Sequence, residues 1–426
     1  MESIAARRQR LLGPNLPTFY DEPVHLVRGE GVWVWDADGR RYLDCYNNVP
    51  HVGHAHPAVV AAVAEQTAKL ATHSRYLDET LLDYVEALVA TFASPLDCAL
   101  LTCSGSEAND VALRMAQAAT GSTGVIATDH TYHGNTALVS QLSKAKTPIG
   151  GHAANVRHVP APDCLREPRS DSADGEAAFA TAVRAACEDL RRSGHGVAAL
   201  IVCPYFANEG FPTLTPGFLQ AAAAAVRDFG GLLIADEVQS GFGRTGESLW
   251  GHDRANVLPD IVTLGKPMGN GYPVAGVVTS ADIMGEFRER YRYFNTFAGN
   301  PVAASAAHAV LRVLDEERLV ENADSVGNYA RAGLRELQRR HPVIGNVRGS
   351  GLFFGAEMLI DGDPARPATE FTARVAEAMR ANGVLLNRLG IHYNTLKIRP
   401  PMPFSRANAD RLLETLDRVL GELAPA

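Results

Sequence analysis

Six short stretches of this chain are apolar along their whole length: ALLTC (99–103), GVIAT (124–128), VAALIVC (197–203), GLLIAD (231–236), DIVTLG (260–265) and VAGVVT (274–279). A strand with one wet face alternates apolar and polar residues. Continuous apolarity therefore predicts strands covered on both faces, as in a mostly parallel sheet flanked by helices. Helical stretches stand between the strands. In GFLQAAAAAVRDFGG, Leu219, Ala222, Ala223, Val226 and Phe229 share one helical face, and Gly230-Gly231 supplies the stop. The fold class that follows is α/β.

At 426 residues the chain exceeds the length at which a single core keeps growing, so two units are expected. Near the C-terminus, Leu412, Leu413, Leu416, Val419, Leu420 and Leu423 form one helical stripe, and short strands such as GLFFGAEM and TLKIRP precede it. This pattern predicts a smaller α+β unit over 311–426. Residues 1–70 complete it through GVWVWDADGRRYLD, a hairpin with an Asp-Gly turn, and 71–310 form the large unit. Residues 160–195 read as a surface excursion followed by an amphipathic helix.

With 46% hydrophobic residues, 21% charged residues and a formal charge of −8, the chain has no balance suited to nucleic acid. The opening MESIAARRQRLLGPNLP carries no apolar stretch long enough for a signal peptide or a membrane span, and no membrane partner is expected. Six cysteines are scattered without a CxxC pair, as reduced thiols are, and the expected compartment is the cytoplasm.

Ligands of open α/β sheets gather at the carboxyl ends of the strands. Three such ends stand out. After ALLTC comes SGSEANDVALRMAQ, where backbone amides at Gly105 and Ser106 would begin a helix and hold an anion such as phosphate. Read alone, it fits equally an ordinary helix capped by Ser104 or Ser106. GLLIAD ends on Asp236, a carboxylate that must find a positive partner, either a structural one or a ligand. DIVTLG is followed by Lys266 and a glycine-rich turn, a setting able to lower a lysine pKa and make the amine nucleophilic. An anion cradle, a carboxylate and such a lysine on one sheet edge fit pyridoxal 5′-phosphate. Its phosphate would sit at the helix start, its aldehyde would form a Schiff base with Lys266, and its ring nitrogen would face Asp236.

Ordered blocks along nearly the whole chain carry a resemblance: VWVWDADGRRYLD, HVGHAHPAVVAAVAEQ, SGSEANDVALRMA, TYHGNT, ADEVQSGFGRTG, LGKPMGNGYPVAG, FNTFAGNP and LKIRPPM. Together they resemble the class III aminotransferase family, pyridoxal-phosphate enzymes of fold type I, the aspartate aminotransferase-like fold. The resemblance implies that Gly105 and Ser106 bind the cofactor phosphate and that Tyr132 stacks on the ring, with His133 beside it. It further implies Asp236 on the ring nitrogen, Gln239 near the ring hydroxyl, and Lys266 as Schiff-base lysine and proton shuttle. Thr296 would reach the phosphate of a neighbouring subunit's cofactor, so a homodimer is implied. Glu209 matches an acidic residue beside the substrate pocket, although CPYFANEGF departs from the family's EPxxxxGG pattern.

CYNNVPHVGHAHP, SRYLDETLLDYVEAL and GKPMGNGYPVA look most like a branch containing both transaminases and phospho-lyases acting on ethanolamine phosphate and phosphohydroxylysine. Arg399 matches the arginine by which many family members hold a substrate carboxylate in a two-point contact, where the phospho-lyases tend to have lysine. This tilts the expectation to an aminotransferase moving an amino group from an amine or amino acid to a keto acid, with phospho-lyase as the alternative. Arg75 and Tyr76 are candidates for the polar end of the pocket, or for a solvated helix start. His51, His54 and His56 lack the partners of a metal site, so no metal is expected. No P-loop pattern occurs. A catalytically dead scaffold would be expected to lose Lys266 or Asp236, and both are present; a racemase or aminomutase would share them.

Overall fold

The N-terminal hairpin forms as the Asp-Gly turn predicts. In this computed structural model, which describes residues 2–14 and 16–423, β2 (Trp33–Asp36) and β3 (Arg41–Asp44) pair antiparallel, and β1 (Leu26–Glu30) adds to the outer side of β2.

The six apolar runs become strands of one seven-stranded sheet: β4 (Cys98–Thr102), β5 (Val125–Thr128), β6 (Val156–Val159), β7 (Ala199–Val202), β8 (Leu232–Asp236), β9 (Ile261–Leu264) and β10 (Ala275–Thr279). Their order is β4-β10-β9-β8-β7-β5-β6, and every residue of β5, β7, β9 and β10 is buried. Two-sided burial has the cause expected: the helix Gly105–Thr120 lies against β9 and β10, and Phe218–Arg227 packs on β7 and β8. β10 is antiparallel to both neighbours, while the other pairings are parallel. The connection from β9 to β10 spans only 265–274, whereas a parallel crossover needs roughly a dozen residues or more. The edge strand β6, VRHV, carries Arg157 and His158 half-buried and gives no continuous apolar signal.

The C-terminal part adds β11 (Ile344–Ser350), β12 (Phe353–Met358), β13 (Val384–Leu385), β14 (Asn387–Leu389) and β15 (Thr395–Ile398). Four of them form an antiparallel sheet, β11-β12-β15-β14. β13 instead pairs parallel with β3, Val384 opposite Leu43, which ties the N-terminal hairpin to this part of the chain. The final helix, Arg406–Glu422, is closed at its start by a reciprocal Ser405/Asn408 cap and buries Leu412, Leu416, Val419 and Leu420. The excursion after β6 ends in the helix Ala173–Arg192, which buries Phe179, Val183 and Leu190. Among the described residues, no helix is long and apolar enough to cross a membrane.

Candidate active site

The three strand ends converge. A Cβ added at Gly265, the residue before Lys266, would lie 3.3 Å from Gly105 Cα, so the end of β9 touches the start of the helix that follows β4. Val238 fills the corner between them: a Cβ on Gly105 would meet its methyl carbons at 3.0 Å.

At the helix start, Ser104 is the cap. Its Oγ accepts the Glu107 N–H at 3.2 Å, and Glu107 Oε2 accepts the Cys103 N–H at 2.9 Å. The amides of Gly105 and Ser106 precede the first intrahelical bond and have no acceptor among the described residues. The cap thus satisfies one amide of the first turn and leaves two without an acceptor. Gly134 is what lets the next loop close over this point, at φ +141°, where an added Cβ would sit 2.5 Å from Ser106 Oγ. Tyr132 in that loop is half exposed, its hydroxyl donating to Asn135 Oδ1 at 2.9 Å.

Asp236 is buried and fully tethered. Oδ1 accepts the Val238 N–H at 3.0 Å; Oδ2 accepts Asn109 Nδ2 at 3.0 Å and lies 2.6 Å from His133 Nδ1. Asn109 is itself fixed by the Thr263 hydroxyl, which donates to Asn109 Oδ1 at 2.6 Å, and His133 Nε2 sits 2.9 Å from Thr131 Oγ1. A carboxylate so held has its direction set before any ligand arrives. Lys266 adopts φ +23° and keeps some accessible surface, yet its amine is enclosed. Burial, followed by the positive charge of Arg399, brings its pKa down to about 8. These residues fit pyridoxal phosphate: free amides for the phosphate, an oriented carboxylate for the ring nitrogen, Val238 for a ring face, and an amine available near neutral pH.

A second group lies beside the first. Arg399 is buried, donates to Gln239 Oε1 and to Tyr46 O, and its pKa falls to about 10 through burial; it remains a cation at neutral pH. Lys397, also buried, donates to the same Gln239 oxygen at 3.3 Å. Burial, then Arg399 and Lys266, pushes its ammonium well below the usual range. Neither side chain forms an ion pair with a carboxylate among the described residues. The rings of Tyr46 and Phe353 flank both: Arg399 Cζ lies 5.5 and 5.4 Å from their centres, Lys397 Nζ 5.9 and 5.6 Å.

The remaining sequence candidates go elsewhere. Glu209 is buried, but it accepts from the Thr128 hydroxyl, leaves Oε2 without a partner, and makes no pair with Arg399; burial raises its pKa. Its partner, Thr128, stands at the end of β5. Arg75 is exposed and stacks its guanidinium 3.6 Å over the Phe294 ring, and Tyr76 stacks on His73 at 5.0 Å. Thr296 is exposed on the same surface. None of these three makes a hydrogen bond or ring contact with Lys266, Asp236 or Gln239 within one protomer. The three histidines diverge, His51 to Phe242 O and Arg244, His54 to Asp44, His56 to Glu317. Among the described residues, no cluster suited to a metal ion occurs. Sequence reasoning missed Asn109, Thr263, Val238 and Lys397. For Lys397 a signal existed: two residues before Arg399 on a strand, it shares that residue's face.

Comparison with known proteins agrees with this geometry. The profile of aminotransferase class-III matches residues 18–420. A Drosophila melanogaster protein named alanine--glyoxylate aminotransferase 2-like is 40% identical over 422 residues, covering 97% of this chain and 85% of its own. The Caenorhabditis elegans ethanolamine-phosphate phospho-lyase homolog 1 is 37% identical, covering 98% and 93%. Among solved structures, an Arthrobacter phospholyase in complex with phosphoethanolamine superposes with a TM-score of 0.96 at 45% identity, over 99% of this chain and 100% of that one. The chain thus belongs to the class-III aminotransferase family, whose members depend on pyridoxal 5′-phosphate.

Proposed function

We propose that this enzyme is a phospho-lyase that eliminates phosphate from a small phosphorylated amine such as ethanolamine phosphate. One observation carries the reading: Lys397 and Arg399 are buried side by side with no carboxylate, sharing a single neutral oxygen. Burying an unpaired cation costs several kcal/mol, which is why the Lys397 ammonium is disfavoured, and an anionic ligand beside Arg399 would restore it. A carboxylate offers one charge, whereas a phosphate monoester carries about −1.5 to −2 at pH 7 and matches both. The similarity to the Arthrobacter phospholyase supports the same reading. Aminotransfer, the reading first drawn from Arg399, considered that arginine without its neighbour. It stays the second reading because one arginine can grip a carboxylate in two-point fashion.

Bound at this edge, pyridoxal phosphate supplies an electron sink for the substrate carbon that loses its proton. The chain does the rest. Lys266, with its pKa near 8, takes and returns that proton as general base and acid. Asp236 keeps the ring nitrogen protonated, and Asn109, Thr263 and His133 keep Asp236 aimed. Lys397 and Arg399 hold the leaving phosphate and balance the charge it develops.

The working unit we infer is a homodimer in which Thr296 of the partner subunit reaches the cofactor phosphate. Support comes from the segments around Arg75 and Thr296: Leu77 is 100% exposed and Phe297 74%, and Arg75 stacks on Phe294. Arg75 and Tyr76 would then face a partner's site. Six free cysteines fit a reducing compartment, the cytoplasm.

The test is substrate bookkeeping. Given phosphoethanolamine and no keto acid, the enzyme is expected to release phosphate and ammonia in equal amounts over many turnovers. A single turnover that stops until a keto acid is added, with no phosphate released, defeats the lyase reading.

A further inference from the structure

The oxygen shared by Lys397 and Arg399 is oriented by its neighbours. Lysine and arginine side chains are donors only, so the atom both reach must be the amide oxygen of Gln239. The amide nitrogen accordingly faces Asn208 Oδ1 at 3.4 Å. No other acceptor competes for the pair on that side. Asp44, whose charge reaches Arg399, has its oxygens engaged by the amides of Tyr46 and Asn47, at 3.0 and 2.9 Å, and by His54 at 2.7 Å. Aromatic rings cover the flanks. Gln239 is therefore the one side chain through which both basic groups are answered.

A glutamate has the same shape as glutamine. At this position it would replace the neutral oxygen that both side chains reach with a full negative charge, and so form ion pairs with them. Lys397 and Arg399 would then be permanently neutralised. The amide does the opposite, holding both donors in place while cancelling neither charge.

We propose that Gln239 is a specificity-determining residue: by meeting Lys397 and Arg399 with a neutral oxygen where a carboxylate would fit, it leaves both for a dianionic group of the substrate. The proposal rests on the phospho-lyase reading for the identity of that group. A phosphate oxygen would meet the donors of Lys397 and Arg399 that the amide oxygen leaves free.

The experiment titrates inorganic phosphate into the cofactor-loaded protein by calorimetry, loading being checked by cofactor absorbance, for the wild type, Gln239→Glu and Gln239→Leu. Gln239→Glu is expected to weaken phosphate binding by about tenfold or more, the scale set by one lost charge-assisted contact. Gln239→Leu, which removes the shared oxygen but adds no charge, is expected to weaken it less than Gln239→Glu does. Its thermal midpoint reports any structural loss separately, and Gln239→Glu is expected to melt above the wild type without phosphate. Phosphate binding to Gln239→Glu equal to the wild type overturns the proposal, as does an equal loss in both variants. If the wild type itself binds no phosphate, the dianion reading falls and takes the proposal with it.

Discussion

Replacing Lys397 by methionine separates a ligand-binding group from a scaffold. The side chain is 6% exposed, keeps a single hydrogen bond, to Gln239 Oε1 at 3.3 Å, and has no acidic partner. Methionine preserves most of its volume and its packing between Tyr46 and Phe353. In the ligand-free protein the exchange removes an ammonium that burial already disfavours, so stability should hold or rise, by up to about 2 kcal/mol. With substrate bound the balance reverses. A hydrogen bond to a charged group contributes about 1.5–3 kcal/mol, which predicts a fall of roughly 10- to 100-fold in kcat/KM for phosphoethanolamine. The assay is phosphate release at varied substrate concentration, paired with thermal unfolding of the same samples. A kcat/KM within about threefold of the wild type refutes the assignment. So does a destabilisation of several kcal/mol with equal loss of affinity for a non-phosphorylated amine, the behaviour of a scaffold residue.

Further consequences follow from the same geometry. Cofactor capture by the apo-protein needs the free amine of Lys266, so its rate should climb with pH and level off above about 8. Because the charge of Arg399 helps lower that pKa, Arg399→Gln should move the half-point upward and slow capture at pH 7. Lys266 also binds fewer protons folded than unfolded between its folded value of about 8 and the ordinary lysine value of 10.5. Its burial penalty in the apo-protein is therefore full below pH 8 and should fade across that window, as thermal melts against pH would reveal. Asn109→Ala unties the Thr263 hydroxyl and one tether of Asp236; it should cost about 1–3 kcal/mol in unfolding free energy and weaken cofactor retention in dialysis. Leu77→Asp, harmless on a lone protomer where that residue is fully exposed, should shift sedimentation from dimer to monomer. An unchanged dimer would remove Leu77 from the interface.

How much of this was legible in the sequence follows from the range of each signal. Strand interiors are local, and all six apolar runs formed strands. The residues at their ends, Ser104 to Ser106, Asp236 and Lys266, could be read because topology alone brings strand ends together. β6 escaped because an edge strand needs no continuous apolar run. The antiparallel turn of β10 was encoded in a connection too short for a crossover. Asn109 and Thr263 are separated by most of the large unit, and only the packed sheet puts the hydroxyl within 2.6 Å of the amide. The partner of Glu209, Thr128, could not be read because it lies 81 residues away at the end of β5. Arg75, Tyr76 and Thr296 lie on a surface that one chain leaves incomplete.

We propose Lys266, at the end of β9, as the amine that bonds the cofactor aldehyde, although a second buried lysine, Lys397, lies close by. Borohydride reduction of the cofactor-loaded protein followed by peptide mapping tests this directly. A pyridoxyl mass on the peptide containing Lys266, with Lys397 unmodified, is the predicted result; a label on Lys397, or on neither, contradicts it.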